Sequence, residues 1–291
     1  MRTNKIGKHI VWDFDGFNDL AKVSTEMSDP TKSSQTGSPR FCGGTKTLEE
    51  ANKLLVDGWH KPLKEIYSIT DRVREQIAEI VAPVLQFQQG VTGCRVDIGL
   101  YSAGDPQCFY SFYEEDGKRA DRFVRILVDS SFSSGVDPDD IVTRGATVIA
   151  LCDALNICGY STEVWVTTAT GNTHSRTAKT RFAYILVPVQ RAGQEWDIKS
   201  SIYPLSHASF LRRTGFAIRE QDADIIENFG SSNSYGYPTG VIKGDTIDEY
   251  VGGADIILSG QVGSISDIIR NPSKWVLDQL VQCGALLPQN V

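Results

Sequence analysis

The stretch that most constrains the fold is residues 123–159, FVRILVDSSFSSGVDPDDIVTRGATVIALCDALNICG. It opens with the apolar residues of a buried strand and continues through serine and glycine residues that are typical of turns. Asp137 and Pro138 then provide the residues that begin a helix, and Gly159 suits the helix end. A buried strand that leads into a helix predicts an α/β fold with a mostly parallel sheet and helices on both faces.

Later segments supply further elements of this fold. TEVWVTT and RFAYILVPVQ predict two strands joined by a polar connection, and ADIILSG predicts a return to the sheet. Helices are expected at residues 204–221 and from Asn271 to Gly284, with a surface loop at 228–253. Alternation in CRVDIGLY, residues 94–101, predicts a strand.

The first third of the chain has a different pattern. Residues 26–44 are dense in Ser, Thr, Pro and Gly, which predicts a loop. Thr47 and Glu50 have the spacing of a capping box, and Pro62 suits the first turn of a second helix. We therefore expect an N-terminal extension at 1–90, made of an acidic aromatic turn, this loop and two helices, before an α/β domain at 91–291.

Composition argues against several classes of protein. The net charge of −7 and a pI near 5.2 argue against a nucleic-acid partner, because proteins that bind nucleic acid neutralise phosphate with positive charge. No apolar run is long enough to cross a membrane, and the N-terminus lacks the pattern of a secretory signal. The cysteines form no CxxC pair and the histidines no HExxH motif, which argues against zinc sites and a disulfide framework.

The loop after the first buried strand carries the main candidate site. Asp129, Ser131 and Ser133 are expected at the carboxyl end of a parallel strand, where open α/β sheets bind ligands. Two hydroxyls and a carboxylate offer part of the oxygen shell that Mg²⁺ requires. The alternative is that the serines only form a turn and cap backbone groups before the helix.

At these residues the chain resembles the von Willebrand factor A family, whose first metal motif is DxSxS. The resemblance covers roughly half the chain and implies an A-domain-like fold that binds other proteins through its strand-end face. The family's second motif, TxTGxAL, is similar to RRTGFAI, where Arg212 replaces the metal-binding threonine and Thr214 matches the second one. The third motif's aspartate has no counterpart in IILSGQ. The resemblance thus implies a degenerate metal site, in which an arginine can replace the cation by pairing with Asp129.

A competing hypothesis concerns HIVWDFDGFND near the N-terminus. This stretch resembles the first motif of haloacid-dehalogenase-type phosphatases, which implies Asp13 as nucleophile and Asp15 as acid/base beside Mg²⁺. Phe17 stands where that family has threonine, and its later lysine and acidic pair have no clear match. An exposed acidic turn with docked aromatic residues is the alternative.

Over most of its length the chain resembles a group of tailed-bacteriophage proteins that brings no established activity. The resemblance is carried by GTKTLEEANKLLVDGW, by RILVDSSFSSGVDPDDIVTRGATVIALCDALNICGYSTEVWV, by PLSHASFLRRTGFAIRE and by NPSKWVLDQL. It implies a viral source and a protein of the host cytoplasm or the virion.

The leading hypothesis is a protein-binding or assembly module that contacts a viral or host protein through a strand-end face, with an enzyme as the less favoured alternative. The expected face comprises Asp129, Ser131, Ser133, Arg212 and Thr214. Tyr235 and Tyr237, set among small residues, suit either a recognition loop or an ordinary surface loop. A virion component without any ligand is a third hypothesis.

Overall fold

A mixed seven-stranded sheet with helices around it organises the protein. The computed structural model describes residues 1–26, 29–80, 85–93, 95–114, 123–194, 197–230 and 235–286. In chain order the strands are β1 (Arg2–Ile6), β2 (His9–Asp13), β3 (Leu85–Gly90), β4 (Arg95–Val96), β5 (Phe109–Glu114), β6 (Phe123–Asp129), β7 (Ser161–Gly171), β8 (Phe182–Gln190), β9 (Tyr237–Pro238) and β10 (Ile256–Leu258). The main sheet has the order β1-β2-β8-β7-β6-β10, with β9 paired to β7, and β3, β5 and β4 form a separate small sheet.

Strand directions decide which loops meet. β6 pairs in parallel with both β7 and β10, whereas β8 is antiparallel to β7 and β2 is parallel to β8. The carboxyl ends of β6, β7 and β10 therefore open at one edge of the sheet, which we call the strand-end face. β2 runs the other way and leads its following loop to the opposite edge.

Helices cover the sheet on both faces. They are α1 (Phe17–Glu26), α2 (Ser33–Thr36), α3 (Leu48–Asp57), α4 (Leu63–Ile80), α5 (Ile98–Ser102), α6 (Pro138–Ile157), α7 (Ile198–Ser206), a π-helical segment (Phe210–Gly215), α8 (Phe216–Arg219), α9 (Ala223–Asn228), α10 (Thr246–Tyr250), α11 (Val262–Arg270) and α12 (Pro272–Gln282). The larger core joins one sheet face to α4, α6, α7 and α12, and a smaller core joins the other face to the segment around α10. No helix in the described ranges has the length and apolar character needed to span a membrane.

Local sequence signals placed several helices correctly. Thr47 Oγ1 accepts a hydrogen bond from the Glu50 N–H (3.1 Å) and begins α3. Asp137 accepts from the Asp139 N–H (2.9 Å) at the start of α6, which runs to the predicted end beside Gly159. These starts are predictable because a capping side chain satisfies N–H groups that have no partner within the helix.

The predicted N-terminal extension accounts for helices α3 and α4 but not for the first two strands. Ile10, Val11 and Trp12 are buried, and β2 pairs with β8 in the main sheet. Residues on both sides of the expected boundary at 90/91 share the larger core. The HIVWD stretch forms a strand because three consecutive apolar residues can contact both faces of a covered sheet.

Two further segments differ from their predictions. Residues 95–96 pair briefly as β4, but the Asp97 carboxylate then accepts from the Leu100 N–H (3.1 Å) and begins α5 instead of extending a strand. The single helix expected at 204–221 is divided into α7, the π-helical segment and α8. At residues 94–101 the alternation of apolar and polar residues predicted a strand but could not reveal that Asp97 caps a helix.

Close packing of α6 against α7 depends on Gly145. A Cβ atom at this position would lie 1.9 Å from Ser206 Oγ and 2.8 Å from the Leu205 carbonyl oxygen. Since the carbonyl belongs to the backbone, relief would require the two helices to separate. Gly145 therefore allows α6 and α7 to pack closely at this point.

We expect Gly145→Ala to lower the free energy of unfolding by about 1–3 kcal/mol, because overpacking strains a close helix contact. Gly263→Ala is the matched control, since Gly263 lies in α11 and a Cβ atom added there would meet, within 4 Å, no atom of the described residues beyond the adjacent backbone of its own helix. There the added methyl group should leave stability unchanged or raise it by up to about 1 kcal/mol through helix propensity. Urea unfolding measures both, and equal effects would contradict the packing argument.

Candidate functional site: a strand-end pocket

A cavity of about 500 Å³ opens at the strand-end face. Its walls come from five separate parts of the chain: the N-terminal loop, the loop after β6, the end of β7, the π-helical segment with α8, and the rim at β9. The lining residues are Ser33, Thr36, Gly37, Phe41, Ser131, Phe132, Ser133, Ser134, Ala169, His174, Leu211, Arg212, Phe216, Arg219, Tyr235, Gly236, Tyr237 and Pro238. We call this cavity the strand-end pocket.

Asp129 holds together the loops beneath this pocket. The side chain is fully buried, and its Oδ1 and Oδ2 atoms accept hydrogen bonds from the backbone N–H groups of Ser131 (2.9 Å) and Gly260 (3.1 Å). The Ser131 hydroxyl in turn accepts from the Ala169 N–H of β7. One carboxylate and one hydroxyl thereby connect the ends of three neighbouring strands.

Gly260 is required for this arrangement because its backbone approaches the first loop closely. A Cβ atom there would lie 2.9 Å from the Ser131 carbonyl oxygen and 3.0 Å from the Ser131 nitrogen. The close approach places the Gly260 N–H group against Asp129 Oδ2.

Two buried arginines act on Asp129. Arg144 donates to the carbonyl oxygens of Asp129 (3.0 Å) and Leu258 (2.8 Å), and Arg219 donates to Thr168 Oγ1 (2.9 Å). Burial raises the pKa of Asp129, against hydrogen bonds from Ser131 and Gly260 and the charge of Arg144. Burial also lowers the pKa of Arg144 and of Arg219 to about 10, with the Asp129 charge opposing that shift. Both guanidinium groups therefore stay cationic at neutral pH.

Arg212, one of the expected binding-face residues, has partners other than Asp129. Its guanidinium donates to the carbonyl oxygens of Phe41 (2.7 Å) and Ser133 (2.8 Å) and lies over the Phe41 ring at 4.4 Å. Arg144 and Arg219 instead are the arginines whose charges act on Asp129. The role of Arg144 could not be predicted from the sequence, because Arg144 reaches Asp129 from α6 and not from the stretch around Arg212.

The predicted binding-face residues do not all reach the pocket. Ser131, Ser133 and Arg212 line it, and Asp129 lies beneath it. Thr214 is fully buried elsewhere, where its hydroxyl donates to Asn52 Oδ1 (3.0 Å) on α3. The helical turn between positions 212 and 214 directs the two side chains to different surroundings.

The predicted magnesium ligands lie in a cationic environment. Both oxygens of Asp129 accept backbone N–H groups, and its charge acts on the guanidinium groups of Arg144 and Arg219 as well as on the carboxyl group of Asp245. Across the described ranges, no three His, Cys, Asp or Glu side chains group closely enough to hold a metal ion. A hard cation prefers several oxygen ligands, so this geometry favours a carboxylate neutralised by arginine.

The two aspartates of the phosphatase hypothesis lie away from the pocket. Asp13 Oδ2 accepts from the Tyr250 hydroxyl (3.0 Å), and Asp15 Oδ1 accepts from Arg2 (2.7 Å) in an exposed ion pair. The loop that contains Asp15 leaves β2 at the edge of the sheet opposite the strand-end face. The two carboxylates are thus engaged by different partners.

Sequence reasoning missed several pocket residues. Phe41 and Phe216 line the walls, and Arg219 reaches the interior. The signal that could have revealed a buried cation was Arg144, the one basic residue of α6. Tyr235 and Tyr237, noted as recognition candidates, do lie at the rim: Tyr235 packs on Phe216 at 5.2 Å between ring centroids, and the Tyr237 ring lies 3.7 Å from that of His174.

A family model described as a domain of unknown function, DUF7192, matches residues 3–256. The chain belongs to the DUF7192 family. The matched range contains every residue that lines the strand-end pocket and extends across the expected boundary at 90/91. No curated protein matches the DUF7192 chain, and no solved structure does.

We expect Asp129→Asn to reduce the free energy of unfolding by about 3–5 kcal/mol, because it removes the buried counter-charge of two arginines. The Asn side chain would also replace one of the two accepting oxygens with an NH₂ group, which cannot accept the backbone N–H hydrogen bond at that position. Asp15→Asn removes the same charge from an exposed pair and should cost less than about 1 kcal/mol. Chemical denaturation compares the two, and a small effect at position 129 would show that Asp129 does not hold the loops.

His207 lies in a second, smaller cavity of about 200 Å³, beside Trp59 and Lys61. It follows α7 directly, and its Nδ1 atom accepts from the Ser209 N–H (3.1 Å) just before the π-helical segment. Burial, assisted by the charge of Lys61, lowers the pKa of His207 to about 4. This histidine is therefore neutral in the folded protein at every pH well above that value.

The DUF7192 chain should lose stability as the pH falls from about 6.5 to about 4, because the unfolded state then binds a proton at His207 that the folded state does not. Between pH 7.5 and pH 5 the contribution is about 2 kcal/mol. His207→Asn keeps an acceptor for Ser209 and should remove this part of the pH dependence in urea unfolding. His60→Asn, at an exposed position, controls for the loss of an imidazole. An unchanged pH dependence in His207→Asn would contradict the assignment.

Proposed function

We propose that this protein is a binding module that receives a projecting group of another protein in the strand-end pocket. The observation that carries the proposal is the pocket itself, a concave site of about 500 Å³ where Ser131, Ser133 and Arg212 meet. Concave sites at the carboxyl ends of parallel strands are the usual ligand sites of open α/β sheets.

The order of strands and helices from β6 onward supports an A-domain-like role in binding of this kind. β6 is followed by a helix, then by the antiparallel pair β7 and β8, and later by β10, which is the order of elements that the resemblance implies. The three loops that resemble the A-family motifs approach one another, since Gly260 lies against Ser131 and Arg212 contacts Ser133. Arginine takes the place of a metal ion beside Asp129 in this proposal.

The lining of the pocket favours binding over catalysis. Its described residues combine aromatic rings, hydroxyls and two arginines but include no carboxylate or thiol that could act as nucleophile or base. His174 is exposed at the rim and contacts a tyrosine ring. Aromatic and arginine side chains in a partly enclosed site are the residues that anchor interfaces.

The nature of the partner is proposed from the resemblance to tailed-bacteriophage proteins. We infer a protein of viral source that acts in the host cytoplasm or in the virion and binds a viral or host protein. The proposal places no metal ion in the mechanism.

A peptide-library selection on the purified protein tests the proposal. Peptides enriched on the wild type should lose at least about tenfold in affinity for Ser134→Trp, since this exposed residue lines the pocket and a large ring there would fill it. Ser264→Trp places the same ring at an exposed position on α11 and should bind normally. Ser134 is preferred to Asp129 or Arg212 because those two side chains are buried and their loss would disturb folding. Failure to enrich any peptide, or equal binding to all three proteins, would contradict the proposal.

A further inference from the structure

Four arginines are buried around the strand-end pocket in a protein whose net charge is −7. Arg144, Arg212, Arg213 and Arg219 are each at most 3% exposed. Of the described acidic side chains only Asp129 and Asp248 are buried, and Asp248 accepts backbone N–H groups of Gly244 and Ala254 beside α10. The interior beneath the pocket therefore carries an excess of positive charge.

Two of these arginines lie outside the pocket. Arg213 donates to four backbone carbonyls and one hydroxyl of residues 34–45. These acceptors satisfy its guanidinium group, which therefore holds that loop in place. Arg144 donates through Nη2 to carbonyls at the ends of β6 and β10, and its guanidinium lies 5.3 Å from the centre of the Phe132 ring. Its Nε and Nη1 atoms have no hydrogen-bond partner in the described ranges, but Arg144 does not line the cavity and its charge is already opposed by Asp129.

Arg212 and Arg219 do line the pocket, and each has a donor without an acceptor among the described residues. In that part of the chain Arg219 donates to one neutral group, Thr168 Oγ1, and its buried Nε atom meets no acceptor. Arg212 donates to two carbonyls, and its buried Nε atom likewise meets no acceptor there. Among the described side chains, Asp129 is the one carboxylate whose charge acts on Arg219, and none acts on Arg212.

Such an arrangement is costly unless a ligand completes it. Removing a guanidinium group from water without an anionic partner is unfavourable, and a donor left without an acceptor adds to the cost. Arginine remains charged in proteins, so the imbalance cannot be relieved by losing a proton near neutral pH. An oxyanion in the pocket would supply the missing negative charge.

The remaining walls of the pocket indicate which kind of group should carry the oxyanion. Phe41, Phe216 and Tyr235 present rings, with centroid distances of 6.5 Å between the first two and 5.2 Å between the last two. Tyr237 and His174 add a further ring pair at the rim. A flat apolar group can pack among these rings while a charged end reaches the arginines.

Resting on the proposed function, we propose that the strand-end pocket selects an oxyanion carried on a flat apolar group, with Arg219 and Arg212 as its charged contacts. A carboxylate and a phosphate ester share this chemistry. The selectivity is for negative charge at the inner end of the pocket, and the apolar rings contact the flat group that carries it.

Binding of three small probes to the wild-type protein tests the selectivity. Benzoate and phenyl phosphate carry an oxyanion on a ring, and benzamide has the same ring without charge. We expect one or both anions to bind at least about tenfold more tightly than benzamide and to shift the Arg219 Nε–H signal in ¹H–¹⁵N spectra. Preference for benzoate would identify a carboxylate ligand, and preference for phenyl phosphate would identify a phosphate ester.

Variants then test whether the preference for anionic probes arises in the strand-end pocket. Arg219→Gln should abolish the discrimination between benzoate and benzamide, whereas Arg270→Gln, which removes the same charge from an exposed position on α11, should preserve it. Ser134→Trp should block all probes. If Arg219→Gln does not fold, the comparison of charged and neutral probes on the wild-type protein still shows whether an oxyanion is preferred.

Two results would overturn the inference. Benzamide binding as tightly as both anions would remove the oxyanion preference while leaving the pocket as a binding site for the selected peptides. Anion binding that is unchanged in Ser134→Trp would place the charge preference outside the pocket. Loss of peptide binding in the selection, by contrast, bears on the proposed function and not on this selectivity.

Discussion

The fully buried carboxylate of Asp129 is the interaction on which the strand-end face depends. It accepts backbone N–H groups from its own loop and from the loop after β10, and its charge is opposed by Arg144 and Arg219. A carboxylate without these donors would be too costly to bury, and the arginines would be equally costly without the carboxylate. The charges and the loop positions therefore have to be present together.

The same arginine-rich interior attaches the N-terminal part of the chain to the site. Arg213 donates to the backbone of residues 34–45, and Arg212 donates to the Phe41 carbonyl. The Ser/Thr-rich loop thereby becomes one wall of the pocket. Carbonyl groups of an irregular loop need donors when they leave water, and a guanidinium group can serve several at once.

Local signals predicted the parts of the fold that local physics controls. The caps at Thr47, Asp137 and Asn271 begin α3, α6 and α12 as expected, since a cap depends on residues three or fewer positions away. The β6 strand and its serine loop were also placed correctly. The helix ends inside 198–219 were not, because Arg212 and Arg213 of the π-helical segment are buried among residues distant in the chain, which no local pattern reports.

The sequence by itself determined an α/β protein, a strand that ends at Asp129, and a loop that carries Ser131 and Ser133 at the carboxyl end of that strand. It also identified Arg212 and Tyr235 as residues of interest. Tertiary structure alone decided that Arg144 and Arg219 act on Asp129, that Thr214 contacts α3, and that Phe41 closes the pocket. The physical reason is that partners of a buried charge are chosen by proximity in space, and proximity across five chain segments is not encoded in the spacing of any one of them.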